Sequence, residues 1–141
     1  MDPTTHHRSL SRELVEAVAS VGSLGRRGES LAAHHLVTDD ALTILARNWR
    51  LSSGELRGEL DLVAVEPDTA MLVVCEVKTR RDAERFGGAV AAVDHRKQAR
   101  IRALTAAFLR SDRRRYRGIR LDLVAIDLGR TPRLTHLAGA L

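Results

Sequence analysis

The chain has almost no lysine: of its 23 cationic side chains only Lys78 and Lys97 are lysines, leaving 21 arginines. It has one cysteine, Cys75, which excludes an internal disulfide framework and suits a reducing compartment. In the middle of a Val-rich run, that thiol is expected to pack in the core. Aromatic residues are 3% of the chain, too few for the stacking platform on which many single-strand binders hold bases. No apolar run approaches the roughly 18 residues of a membrane span. The first eight residues lack the hydrophobic region of a signal peptide, so a cytoplasmic protein with no membrane partner is expected.

With 141 residues there is room for one domain with a real core. The formal charge of +5 favours a polyanionic partner. Residues 1–24 read as an N-terminal tail containing a helix, and residues 25–141 as the folded domain. Met1 to Arg8, polar and carrying Pro3, His6 and His7, is expected to be unstructured. Ser9 or Ser11 can cap a helix over Arg12 to Ser20, which Gly22 and Gly25 would break. A second helix is expected from Arg26 to Val37, with Ala32, Ala33, Leu36 and Val37 forming its buried stripe and Leu31 outside it. Glu29 falls in line with that stripe, either serving the helix dipole and Arg26 or reaching a site as an acid. His34 and His35 read as surface or satisfied histidines.

A first strand is expected over Leu42 to Asn48, with Trp49 closing the core edge. Two further runs of strand length follow, Gly58 to Glu66 and Met71 to Arg80, joined by Pro67, Asp68, Thr69 and Ala70 as in a β-hairpin. Glu59, Asp61, Glu76 and Lys78 lie inside these apolar runs, where an isolated charge costs several kcal/mol. A four-residue connection pairs Glu66 with Met71, sets Asp61 opposite Glu76 and Glu59 opposite Lys78, and places all four on one face. Opposed carboxylates at about 5 Å repel by roughly 1 to 4 kcal/mol. Lys78 offsets part of this, and a divalent cation held by oxygen ligands would offset more. Where arginine is supplied almost everywhere, a lysine at position 78 suggests a need for a compact ammonium whose pKa can shift.

Beyond a joint at Phe86-Gly87-Gly88, the clearest helix runs from Val93 to Ser111, with Asp94 as N-cap and Ile101, Leu104 and Phe108 repeating at helical spacing. Lys97 lies in line with this stripe, and Arg96 and Arg100 flank it. Arg110, Arg113, Arg114, Arg115, Arg117 and Arg120 follow against Asp112 alone, a one-sided run that suits a phosphate backbone. A fourth strand is expected over Ile119 to Leu128, with Asp122 paired to an arginine, and a short edge strand over Leu134 to Leu137.

Hydrolysing a phosphodiester requires a neutralised phosphate oxygen, an activated water and a stabilised leaving oxygen, all of which a carboxylate-held Mg²⁺ or Mn²⁺ can assist. Asp61 and Glu76 supply anionic ligands, the Val77 carbonyl offers a third, and Lys78 could orient or deprotonate the water. Neither His nor Cys has ligand spacing around these acids, so zinc is disfavoured there.

Asp61 followed by Glu76-Val77-Lys78, in the order helix, strand, strand, strand, helix, strand, resembles the PD-(D/E)XK nuclease superfamily. More closely, Gly28-Glu29, Asn48-Trp49-Arg50, the string from Gly58 to Ala64, Glu76 to Arg80, Phe86-Gly87, Ala89-Val90 and Lys97 look like the YraN-like family of small bacterial proteins. The resemblance covers Gly25 to Asp127. It implies an α/β, restriction-endonuclease-like αβββαβ core with a mixed central sheet flanked by helices. It also implies Asp61, Glu76 and Lys78 as the triad and Glu29 as a helix-borne acid, similar to archaeal Holliday-junction resolvases. The superfamily's Pro-Asp is here Leu60-Asp61, with Glu59 an added acid. The function expected is a Mg²⁺-dependent nuclease acting on DNA in preference to RNA, on branched or damaged structures, with Arg80, Arg96, Lys97 and Arg100 contacting phosphates. The alternative is a nucleic-acid-binding protein that keeps the fold without cleaving. A homodimer would suit paired nicks, though no residue requires one.

Overall fold

The computed structural model describes residues 4–51, 54, 56–81 and 93–141. In chain order the elements are β1 (Thr4–Ser9), α1 (Arg12–Ala17), α2 (Leu24–Thr38), β2 (Thr43–Trp49), β3 (Leu60–Glu66), β4 (Met71–Arg80), α3 (His95–Ser111), β5 (Gly118–Asp127) and β6 (Arg133–Ala138). The strands form one sheet in the order β1-β6-β5-β4-β3-β2. It is mixed, because β4 and β5 run parallel while every other neighbouring pair is antiparallel. Two parallel neighbours need a crossover between them, and α3 lies in that connection.

Alternation along the strands divides the core into two layers. Val73, Cys75, Val124 and Ile126 meet Leu31, Ala32 and Leu36 of α2, with Leu14 and Val15 of α1 packed alongside. On the other face Leu72, Val74 and Val63 meet Ile101, Leu104 and Phe108 of α3. Trp49 closes the edge of this second layer as expected, its ring edge-on to Phe108 with centroids 5.4 Å apart. Cys75 is fully buried between strands. Among the described residues, no helix is long and apolar enough to cross a membrane.

Several expectations are corrected. Residues 4–9 form a strand: β1 pairs with β6 from Thr4 opposite Ala138 to Ser9 opposite Arg133. β6 is therefore interior to the sheet, and β1 is the edge. Helix α1 is shorter than the span to Ser20, and α2 starts two residues early, because Ser23 accepts the Arg26 N–H and carries Gly25 into the first turn. Ala32, Ala33 and Leu36 are buried as expected, but Gly28, Leu31 and His35 are buried with them, whereas Val37 is 49% exposed. The stripe is rotated relative to the expected one because Gly28 and His35, neither an obvious core residue, both face inward. On β2 a register shift between Ile44 and Ala46 sends these two residues to opposite layers. Asp94 does cap α3, accepting the Lys97 N–H at 2.8 Å. The joint at Phe86-Gly87-Gly88 lies outside the described residues.

Candidate functional site

The hairpin has the expected register, Glu66 opposite Met71 and Leu62 opposite Cys75. Leu62 and Cys75 are the last paired residues of that ladder. The next position sets Asp61 level with Glu76. There the Asp61 carboxylate, rather than a main-chain carbonyl, accepts the Val77 N–H at 2.9 Å. On the other side, Arg47 pairs with Leu62 and Trp49 with Leu60, which sets Asn48 opposite Asp61. Three strands thus bring Asn48, Asp61 and Glu76 into one row.

Asn48 has φ +47°, in the left-handed region that asparagine tolerates better than most residues. Its side-chain amide donates to Glu29 at 3.1 Å and to Glu59 at 3.3 Å. Glu29 therefore does reach the strand ends from α2. Its approach depends on Gly28, where a Cβ would lie 1.7 Å from Thr79 Oγ1 and 2.8 Å from Thr79 Cβ. Only a residue without a side chain lets α2 sit this close to β4.

Glu59 is the correction at this site. It precedes β3, and its carboxylate turns to Asn48 and to Arg50 Nε at 2.8 Å, so the expected partnership with Lys78 is not formed among the described residues. Glu76, 6% exposed, is instead held by Lys97, whose Nζ lies 2.7 Å from Oε1. Burial first, and then the neighbouring Glu76, push the Asp61 carboxyl up to about 8, against the pull of the Val77 N–H. Lys78 is lowered from the usual lysine range, first by burial and then by Lys97 and Arg80, with Glu76 opposing. Among the described residues, Glu29, Asp61 and Glu76 do not close into a cage of three carboxylates. The adjacent acidic pair is Asp61 with Glu76.

Of the basic residues, Arg96 and Arg100 are exposed on the first turns of α3, beside Lys97, and the Arg100 side chain passes over Gly58. Arg80, at the end of β4, is exposed and donates to the Thr79 carbonyl at 2.8 Å. The arginine run after α3 is elsewhere. Arg117 N–H donates to the Ala70 carbonyl at 2.9 Å, and Met71 is level with Gly118. Glu76 is five residues further along β4, about 17 Å away at strand rise. Arg120 leaves that run altogether, gripping Asp122 through Nε and Nη2, each at 2.9 Å.

Residues 28–126 match the model of "Uncharacterised protein family UPF0102". Two mycobacterial UPF0102 proteins make the same point over greater length. That of Mycobacterium avium (strain 104) is 42% identical over 118 residues, covering 82% of this chain and 88% of its own. That of Mycobacterium sp. (strain JLS) is 38% identical over 134 residues, covering 94% and 93%. The chain belongs to the UPF0102 family. This is the family of YraN, in line with the resemblance carried by the motifs above. The UPF0102 match spans every residue of the Asp61 row, from Glu29 to Lys97, while β1, α1 and β6 lie outside it.

Two features escape sequence reasoning. One is the linking role of Asn48, whose signal was a polar amide at a strand end in register with Asp61. The other is a cluster on the opposite face, in which buried His35, His136 and Asp122 meet the partly exposed Asp39 and Asp40, assembled from residues up to 101 positions apart. Burial, before any charge, lowers His35 to about 4.

Proposed function

We propose that this UPF0102 protein is a metal-dependent nuclease of the PD-(D/E)XK superfamily, hydrolysing DNA at branched or damaged structures. The observation that carries the reading is the row itself. A half-buried acid from β3, a buried acid from β4, a lysine two residues beyond on the same strand, and an acid from the start of α2 lie together where the hairpin ladder ends. The order α2, β2, β3, β4, α3, β5 supports the superfamily's αβββαβ core.

The residues present fit a hard divalent cation. Asp61 is pushed up to about 8 first by burial and then by the neighbouring Glu76, so a cation beside the pair would favour its ionised form, and the groups offered as ligands, two carboxylates and a carbonyl, present oxygen. Asp61, Glu76 and the Val77 carbonyl would hold Mg²⁺ or Mn²⁺. Such an ion supplies neutralisation of a non-bridging phosphate oxygen. Lys78, shifted toward neutrality, orients the attacking water and accepts its proton at Nζ. Asn48 fixes Glu29 and Glu59 at the rim, and Arg80, Arg96 and Arg100 steer the phosphate backbone toward it.

One observation favours the alternative of a binding protein that does not cleave: the Lys97 ammonium already neutralises Glu76. Lys97 must leave that carboxylate for the nuclease reading to operate, freeing it for a phosphate. The discriminating experiment incubates the purified chain with linear, nicked and branched DNA and RNA in Mg²⁺ or Mn²⁺. Cleavage is expected to fall by about 10²-fold or more in Asp61→Ala and in Lys78→Ala. Equal rates in wild type and both variants would assign the cleavage to a contaminant and leave the binding reading.

A further inference from the structure

The buried histidine cluster on the α2 face has a hydrogen-bond arrangement that protein groups alone leave incomplete. His35 Nδ1 lies 2.7 Å from Asp39 Oδ2, and His136 Nε2 lies 2.7 Å from Asp122 Oδ2. A carboxylate only accepts, so each ring turns its N–H toward its own carboxylate. Asp122 is kept ionised for this role by Arg120 and by the Gly139 N–H at 2.9 Å. The remaining nitrogens, His35 Nε2 and His136 Nδ1, then face each other 3.0 Å apart with both lone pairs. In side chains 5% and 2% exposed, two opposed lone pairs require a positive centre between them.

A third donor converges on the same point. Asp40 Oδ2 is 3.3 Å from His136 Nδ1 and 3.7 Å from His35 Nε2. The circle through the three donor atoms has a radius of about 2.0 Å, so an ion bonded at about 2.1 Å to each sits about 0.7 Å off their plane, as tetrahedral coordination requires. Among the described residues, the ion pairs of Asp39, Asp40 and Asp122 bring in two arginines, Arg8 and Arg120, and Glu66 lines the adjoining cavity, so negative charge is in excess around this point. A cavity of about 320 Å³ lined by His6, Asp40, Arg120 and His136 reaches this point, offering an entry path and a fourth ligand position.

We propose that His35, His136 and Asp40 form a site for a borderline divalent transition metal ion, zinc foremost, distinct from the Asp61–Glu76 pair. Two imidazoles and one carboxylate with an open position are a donor set that selects zinc over magnesium. Asp39 and Asp122 act behind them, fixing each ring's tautomer and raising the basicity of the ligating nitrogen. The ion would fasten the end of α2 to β6, beside the edge strand β1.

The test titrates the chelator-stripped full-length chain with Zn²⁺, and with Co²⁺ as an optical probe, in wild type and variants. One ion per chain is expected, with the absorption of nitrogen-bound tetrahedral Co²⁺, retained in Asp61→Ala and in Glu76→Ala. His35→Gln should abolish it. Since replacing a buried histidine can cost the fold, Asp39→Asn and Asp40→Asn provide the partly exposed controls. Asp39→Asn is expected to weaken binding by about 10 to 100-fold, and Asp40→Asn to remove the tetrahedral spectrum. Absence of Zn²⁺ binding in the wild type would mean that a shared proton holds the two rings, and would overturn the proposal. So would binding that survives in folded Asp40→Asn with the spectrum unchanged, or that disappears in Asp61→Ala.

Discussion

Asp61 concentrates the account in one side chain. Its carboxyl is pushed up to about 8, first by burial and then by Glu76, so the metal-free protein holds a proton there at neutral pH. Two consequences share one sign. A native pKa above the unfolded value of 3.8 contributes stability that is complete below about 4 and is lost as pH rises to about 8. The melting temperature of chelator-treated protein should therefore lose an increment across that window that Asp61→Asn does not. A metal ion must also displace that proton, so Mg²⁺ affinity measured by calorimetry should fall about tenfold for each pH unit below about 8. Affinity independent of pH between 6 and 8 would remove Asp61 from the ligand set. At this scale the sequence was readable where loop length dictates register, as for Asp61 against Glu76. It was not readable for Glu59, because the ladder ends at Leu62 and the free chain before β3 follows Asn48 and Arg50 instead.

Helix α2 is the element on which the two sites depend. Its first turns deliver Glu29 to Asn48, and its last carries His35 to His136. The helix was legible, but its rotation was not, since the burial of Gly28 and His35 comes from partners on β4 and β6 that no local pattern reveals. Gly28→Ala tests the close approach. The new methyl would overlap both Oγ1 and Cβ of Thr79, so rotating the threonine gives no relief. Overpacking of this kind should cost about 1 to 3 kcal/mol in chemical denaturation. It should also lower the proposed nuclease activity more than Asn48→Ala does, because it displaces the whole start of the helix. Wild-type stability and activity in Gly28→Ala would show that α2 is not fixed against β4 as described.

Across the molecule, charge is arranged differently from a single basic track. Among the exposed arginines, Arg80, Arg96 and Arg100 form a rim beside the acids, while Arg113, Arg114, Arg115 and Arg117 form a separate group next to the turn at the other end of β4. The number of arginines was plain in the sequence; their separation required the crossover through α3, which brings Arg117 to Ala70 rather than to Glu76. Arg96→Ala with Arg100→Ala should reduce the salt dependence of DNA binding by about 0.9 per lost phosphate contact, and an unchanged slope would move the binding face to the second group. The central claim, that Asp61 and Glu76 hold a catalytic metal ion, is tested most directly by anomalous diffraction from crystals saturated with Mn²⁺. The account predicts a manganese peak between Asp61, Glu76 and the Val77 carbonyl, with Lys97 withdrawn from Glu76. A Lys97 ammonium still seated on Glu76, with no manganese beside Asp61, would contradict it.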